Sequence, residues 1–185
     1  MPKMIGYQEQ INGLVFLSED TDGGATVEFD IPAGYASIEW HFYNIHPATD
    51  NVTFGFQVNA AGGSGYDEYI TSSYFRAKHN EDDSATGLDY IGDFDQAQTQ
   101  LYQVLPNEVG NDNDQSTSGV LTMYAPSSTY VKHFTARFSD AHPSDIAMDC
   151  VIGGYINSTT AIDEISFKFS SGNIDAGTIR MYGVR

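Results

Sequence analysis

The run Asn111-Asp112-Asn113-Asp114-Gln115-Ser116 is the stretch whose residue types and spacing best suit coordination chemistry. Alternating oxygen-bearing side chains can wrap a hard cation such as calcium. Asp112 and Asp114 are the candidate ligands. The run is not an EF-hand. A loop opening at Asp112 needs glycine at position 117 and an acid at position 123, where the chain has Thr117 and Met123. The competing reading is an Asx-rich turn, in which these side chains bond their own backbone.

The remaining chemical side chains do not assemble into a catalytic pattern. The five histidines are His41, His46, His79, His133 and His142, and none has the H-E-x-x-H spacing of a metal-binding helix. His41 and His133 fall opposite the apolar faces of strand-like segments, which gives them a structural or solvent role. The segment around Gly63-Ser64-Gly65 resembles a nucleophile elbow, but the pattern needs glycine where the chain has Tyr66. Carboxylates are abundant, yet no pair is set apart as a glycosidase acid and base. Cys150 sits among Met148, Val151 and Ile152 and reads as a small buried hydrophobe. The expectation is a non-enzymatic chain with no catalytic residues and no cofactor, calcium aside.

Charge narrows the partners. The 185 residues include 25 Asp and Glu against 8 Lys and Arg, a net charge of −17. Such a surface repels nucleic-acid phosphates and anionic lipid head groups. The expected partners therefore include no nucleic acid and no membrane. The same charge suits salty surroundings, where self-repulsion is screened.

The elements that would position these residues follow a period of two. Ala25, Val27, Phe29 and Ile31 share one face while Thr26, Glu28 and Asp30 share the other, the mark of a half-buried strand. Ile38, Trp40 and Phe42 repeat it, as do Phe54, Phe56 and Val58. Further along come Leu121 and Met123, then Phe134, Ala136 and Phe138. Ile165, Phe167 and Phe169 precede a last set, Ile179 and Met181. Nine or ten strands are expected, with Trp40 inward. Residues 93–104 have the composition of one short helix. Residues 79–99 and 106–118 read as long acidic loops. Tyr35, Tyr66, Tyr69, Tyr74, Tyr90 and Tyr102 read as lying near strand ends or loops, where Tyr serves interfaces or sugar stacking.

Many short strands with one apolar face predict an all-β fold: an antiparallel two-sheet β-sandwich, jelly-roll-like. Residues 1–12 read as a short N-terminal arm and 13–185 as a single β-sandwich domain. The opening Met-Pro-Lys-Met-Ile-Gly lacks the apolar core of a signal peptide, and no run is long enough for a transmembrane segment. Synthesis in a cytoplasm is expected.

Several segments together resemble a known family. They are Asn44-Ile-His-Pro-Ala-Thr-Asp50, Tyr74-Phe-Arg-Ala-Lys-His-Asn-Glu81, Gly110-Asn-Asp-Asn-Asp114, Tyr124-Ala-Pro-Ser-Ser128, and Phe167 through Gly183. In this order, from about residue 13 to the end, the chain is similar to small virion structural proteins of marine tailed bacteriophages. Related β domains occur in phage tail-fibre-type proteins. The resemblance implies a place in the virion after synthesis in the host cytoplasm. It also implies partners among other phage virion proteins, the major capsid protein or tail and neck proteins, and a homo-oligomer, a trimer on a threefold axis. It brings no catalytic residues.

Three roles follow as expectations. One is a capsid decoration or cement protein on the particle exterior. Another is a receptor-binding module of a tail or head fibre, with a host glycan as ligand. The third is a carbohydrate-binding β-sandwich outside any virus. Decoration is favoured, because fibre shafts show repeats or heptads and this chain has neither.

Overall fold

Along Lys132–His142, burial alternates residue by residue. Lys132, Phe134, Ala136, Phe138 and Asp140 are buried, and His133, Thr135, Arg137 and Ser139 between them are exposed. A strand with one face on a core produces this pattern. The computed structural model describes residues 10, 11 and 13–185, and the expected arm at 1–12 lies outside them except for a two-residue strand.

Fourteen strands are described in chain order. They begin with β1 (Gln10–Ile11), β2 (Leu14–Asp20), β3 (Val27–Asp30), β4 (Ser37–Pro47) and β5 (Phe54–Ala60). Then come β6 (Ile70–Asn80), β7 (Thr86–Tyr90), β8 (Ala97–Thr99), β9 (Gln103–Val104) and β10 (Thr117–Tyr124). The series closes with β11 (Lys132–His142), β12 (Ile146–Ile156), β13 (Ile162–Phe169) and β14 (Ile174–Val184). Among the described residues there is no helix, so none is long and apolar enough to cross a membrane.

The strands form two antiparallel sheets. The large sheet has ten strands, ordered β1-β2-β14-β4-β10-β11-β12-β6-β7, with β8 also paired to β6. The small sheet has four, ordered β3-β13-β5-β9. They pack face to face as a β-sandwich, as the alternating pattern predicts. The expected jelly roll commonly shares eight strands between its sheets; here the division is ten and four. Phe167 on β13 makes the junction: its ring lies 5.1 Å from Phe42 and 6.1 Å from Trp40, both on the large sheet. Trp40, Phe42, Phe54, Phe134 and Phe138 are all buried in the same core. Burying each aromatic of this size contributes roughly 1.5–3 kcal/mol.

β4 changes face part-way. Trp40 and Phe42 point into the core, but so do Ile45 and Pro47, so the parity shifts by one residue between them. Asn44 absorbs the shift, with a φ of 48°. The pairing of β4 with β10 slips at the same level. Such an extra residue is a β-bulge. Ser118 on β10 holds it: its hydroxyl accepts from the Asn44 N–H at 2.9 Å.

Four expectations change. The described strands number fourteen, against the nine or ten expected. Residues 93–104 form no helix; they contain β8, β9 and turns. Buried glutamines explain this, because their amides take backbone groups a helix would use. Gln96 Nε2 donates to the Leu101 carbonyl and Gln103 Nε2 to the Phe94 carbonyl, each at 3.0 Å. Residues 79–99 are not one loop, since β7 and β8 lie within them, both paired to β6. Tyr74 is not near a strand end: it is fully buried within β6. By contrast, residues 106–116 carry no strand, as expected for most of that loop.

Candidate functional site

The small sheet covers one face of the large sheet. On the opposite face of β4, β10, β11, β12 and β6, the outward positions are mainly Ser, Thr, Val, Ala and aromatic residues. One row runs His41, Val120, Arg137, Val151 and Phe75 across the five strands and ends at Tyr90 on β7. A neighbouring row runs Glu39, Thr122, Thr135, Gly153 and Ser73. Adjacent strands lie about 4.8 Å apart, so His41 to Phe75 spans roughly 19 Å.

This face is shallowly hollowed. One depression of about 420 Å³ is lined by Phe75, Val120, Thr122, Thr135, Val151 and Gly153, among others. Another of about 650 Å³ adjoins it at Val120 and Arg137 and includes Ser118, Ser139 and Asp149. Both are open to solvent. Aromatic rings flank them. On one side the His41 ring lies 4.9 Å from that of Tyr182, and Tyr182 packs edge-on to Phe16 at 5.8 Å. On the other side stand Phe75 and Tyr90, both exposed.

Electrostatically this face differs from the chain as a whole. Its five central strands carry three outward charged side chains: Glu39, Arg137 and Asp149. Arg137 and Asp149 neutralise each other through two bonds, Nε to Oδ1 at 2.8 Å and an Nη to Oδ2 at 2.7 Å. That contact holds the Asp149 carboxyl below its ordinary pKa and the Arg137 guanidinium above its own. Glu39 Oε2 lies 2.9 Å from His41 Nε2. The rest of the −17 lies elsewhere.

The calcium candidates sit off this face. Asp112 and Asp114 are both exposed, in the loop before β10. The Asp112 carbonyl accepts from the Gln115 N–H at 2.9 Å, which makes the run a tight turn. Asp114 lines a hollow of about 300 Å³ that also includes Glu81 and Asp145. Among the described residues, no group of three or more His, Cys, Asp or Glu is placed to hold a metal ion. His46 Nε2 lies 3.3 Å from the Asp112 carbonyl, and His46 and Asp175 line a second hollow with Asp114.

At the same end of the large sheet, where Asp140 and His142 also line the Asp114 hollow, lies a polar knot that the apolar pattern hides. Asn107 Oδ1 accepts from the Tyr74 hydroxyl and from Arg76 Nη1, both at 3.1 Å. Glu108 Oε2 accepts from Asn107 Nδ2 at 2.7 Å and lies 3.1 Å from His142 Nε2. Asp140 is 3% exposed, and neither carboxylate oxygen has a hydrogen-bond partner among the described residues. Burial, reinforced by the Glu108 charge, pushes its pKa up to about 7. Burial pushes the Cys150 thiol up to about 11 and raises Tyr74 further above its ordinary range. Cys150 is thus the buried, unreactive thiol its neighbours suggest. Asp140 was within reach of the sequence, because the parity of Phe134, Ala136 and Phe138 continues to it.

Comparison with protein-family models and with curated proteins finds no match to this chain. The functional reading therefore rests on the surface just described. Its width, openness and low charge suit contact with another macromolecule. A small-molecule site instead encloses most of its ligand.

Proposed function

We propose that this protein is a non-catalytic structural module that attaches to the exterior of a tailed-phage particle, as a capsid decoration protein. The observation that carries attachment is the outer face of the large sheet. A chain of net charge −17 keeps one broad surface almost free of unpaired charge. Interface cores are depleted of Lys, Glu and Asp and enriched in aromatic residues. The outward row His41, Val120, Arg137, Val151, Phe75 has that composition. From β14 to β7 the face spans roughly 29 Å across the strands and about 20 Å along them, an area of roughly 600 Å² against the ~800 Å² per partner of a standard interface.

The phage setting rests on the sequence resemblance, and the acidic remainder of the surface suits a particle exposed to salt water. A protein bound to a closed shell, and not to its opened form, stabilises the closed form by mass action. The test is to prepare particles with and without this protein and compare their rupture on heating and on osmotic shock. Earlier rupture without the protein supports the reading. Equal rupture, with antibody labels at tail tips instead of the head, replaces it with the fibre role.

A further inference from the structure

We propose that the free edge of β7 accepts an extended, basic segment of another protein as an added β-strand. The inference goes beyond attachment through the sheet face and does not depend on the phage setting. Among the described residues, β7 is the last strand of the large sheet on its side and pairs only with β6. The bonds next to it fix which backbone groups point where. Asn80 N–H donates to the Ala85 carbonyl at 3.0 Å, and Ile91 N–H to the Tyr74 carbonyl at 3.0 Å. With the register Arg76↔Asp89 and Lys78↔Gly87, the backbone groups of Gly87 and Asp89 point toward β6. Those of Thr86, Leu88 and Tyr90 therefore point away from the sheet. Three consecutive donor and acceptor sets are open to an incoming strand.

Side chains add selectivity. Leu88 is 74% exposed and Tyr90 62%, and they stand beside Phe75 on the outer face. Isolated apolar residues on a surface are ordinary, but Leu88 and Tyr90 on the free edge, with Phe75 beside Tyr90 on the adjoining strand, form an anchor. Residues 81–95 hold six carboxylates and no Lys or Arg. The nearest cation, Lys78, lies 3.3 Å from Asp89, and His79 lies 3.2 Å from Asp83. Pairing two such edges would set these acids against each other, which disfavours a second copy of this chain. A guest alternating apolar with basic residues fits both faces. Its apolar side chains meet Leu88 and Tyr90, and its basic ones lie on the side of Asp89.

The test uses the purified full chain and fluorescently labelled nine-residue peptides alternating Val with Lys or Val with Glu. Anisotropy should show binding of the Lys peptide, at least tenfold weaker at 500 mM than at 50 mM salt, and none of the Glu peptide. Leu88→Pro removes one outward N–H while leaving the β6 bonds intact, and should weaken binding at least tenfold. Leu88→Ala should weaken it less. In the unmodified protein, the Lys peptide should slow hydrogen exchange at the amides of Thr86, Leu88 and Tyr90, a readout that does not require the proline variant to fold. Absence of binding, equal binding of both peptides, or protection elsewhere than at these amides would overturn the proposal. So would a dimer in sedimentation that Leu88→Pro abolishes, because the edge would then belong to a second copy.

Discussion

Gly177 on β14 lies so close to Asn44 on β4 that a β-carbon there would come within 2.6 Å of the Asn44 carbonyl oxygen. Gly177 also has a φ of 112°, where side-chain-bearing residues are strained. Both strands shift parity at this level, so the bulge at Asn44 and the bare backbone at Gly177 form one device. It lets Trp40 and Ile45 face the same core although they are five residues apart.

Gly177→Ala should therefore destabilise the protein by about 2 kcal/mol or more, since contact and strain add. Gly153→Ala is the matched control. It lies on a strand of the same sheet, with ordinary φ and nothing within 4 Å of the added carbon. Its melting temperature should stay close to that of the parent, while Gly177→Ala lowers it by several degrees. Equal melting of the two variants would show that the bulge tolerates a β-carbon.

Asp140 makes stability depend on pH. Its carboxyl titrates near 7 when folded and at an ordinary acid value near 3.8 when unfolded. Between those values the folded state holds a proton that the unfolded state has released. The contribution of Asp140 is therefore full below about pH 4, falls across pH 4 to 7, and is flat above. Three pH units correspond to a loss on the order of 4 kcal/mol. Asp140→Asn cannot ionise, so it should melt higher than the parent at pH 8 and about equally at pH 4. Thermal melts at the two pH values check this; a variant less stable at pH 8 would mean that the carboxylate has a partner.

Asp140 also shows how far the sequence could be read. Period two placed Phe134, Ala136 and Phe138 inward, and the same parity puts Lys132 and Asp140 inward at the two ends of the strand. Lys132 is indeed buried, its amine donating to the carbonyls of Ser158 and Thr160. Alternation thus revealed the sandwich and most of its core. It singled out no set in β2, β6, β9 or β12, nor in β7 and β8, where edge strands with an exposed face show little contrast between apolar and polar positions. Nor could it reveal the bulge, whose parity shift needs the paired strand to be seen. The outer face was legible only as polar positions. Its near-neutrality appears when five strands separated in sequence are set side by side.

Phe167 should be the most costly core truncation. Its ring meets those of Phe29, Trp40, Phe42 and Phe54 at 5.1–6.2 Å. Phe167→Ala removes its ring contacts with Trp40 and Phe42 across the sheets, leaving those of Phe54 and Phe56 with Phe42 and Phe134, and should cost about 3–5 kcal/mol. Trp40 is fully buried and is the sole tryptophan. Its emission should be blue-shifted in the parent and move toward red in Phe167→Ala. Parent emission resembling tryptophan in water would contradict the packing of Trp40 against Phe167.

The outer face can be tested without disturbing the fold. The Arg137 side chain is 74% exposed, and its bond to Asp149 is a surface ion pair of the kind that contributes little to stability. Arg137→Glu should therefore shift stability only slightly. At the centre of the proposed contact, however, it replaces a neutral pair with two adjacent carboxylates. Burying them against a partner is expensive, because neither charge is compensated. Attachment to particles lacking the protein should fall at least tenfold in a co-sedimentation assay. The double change Arg137→Glu with Asp149→Arg restores a neutral pair in the opposite sense, and should recover much of the attachment. Recovery would separate the charge effect from any local distortion. If Arg137→Glu attaches as tightly as the parent while melting at the same temperature, the particle contacts another surface, and the outer face of the large sheet is not the site of docking.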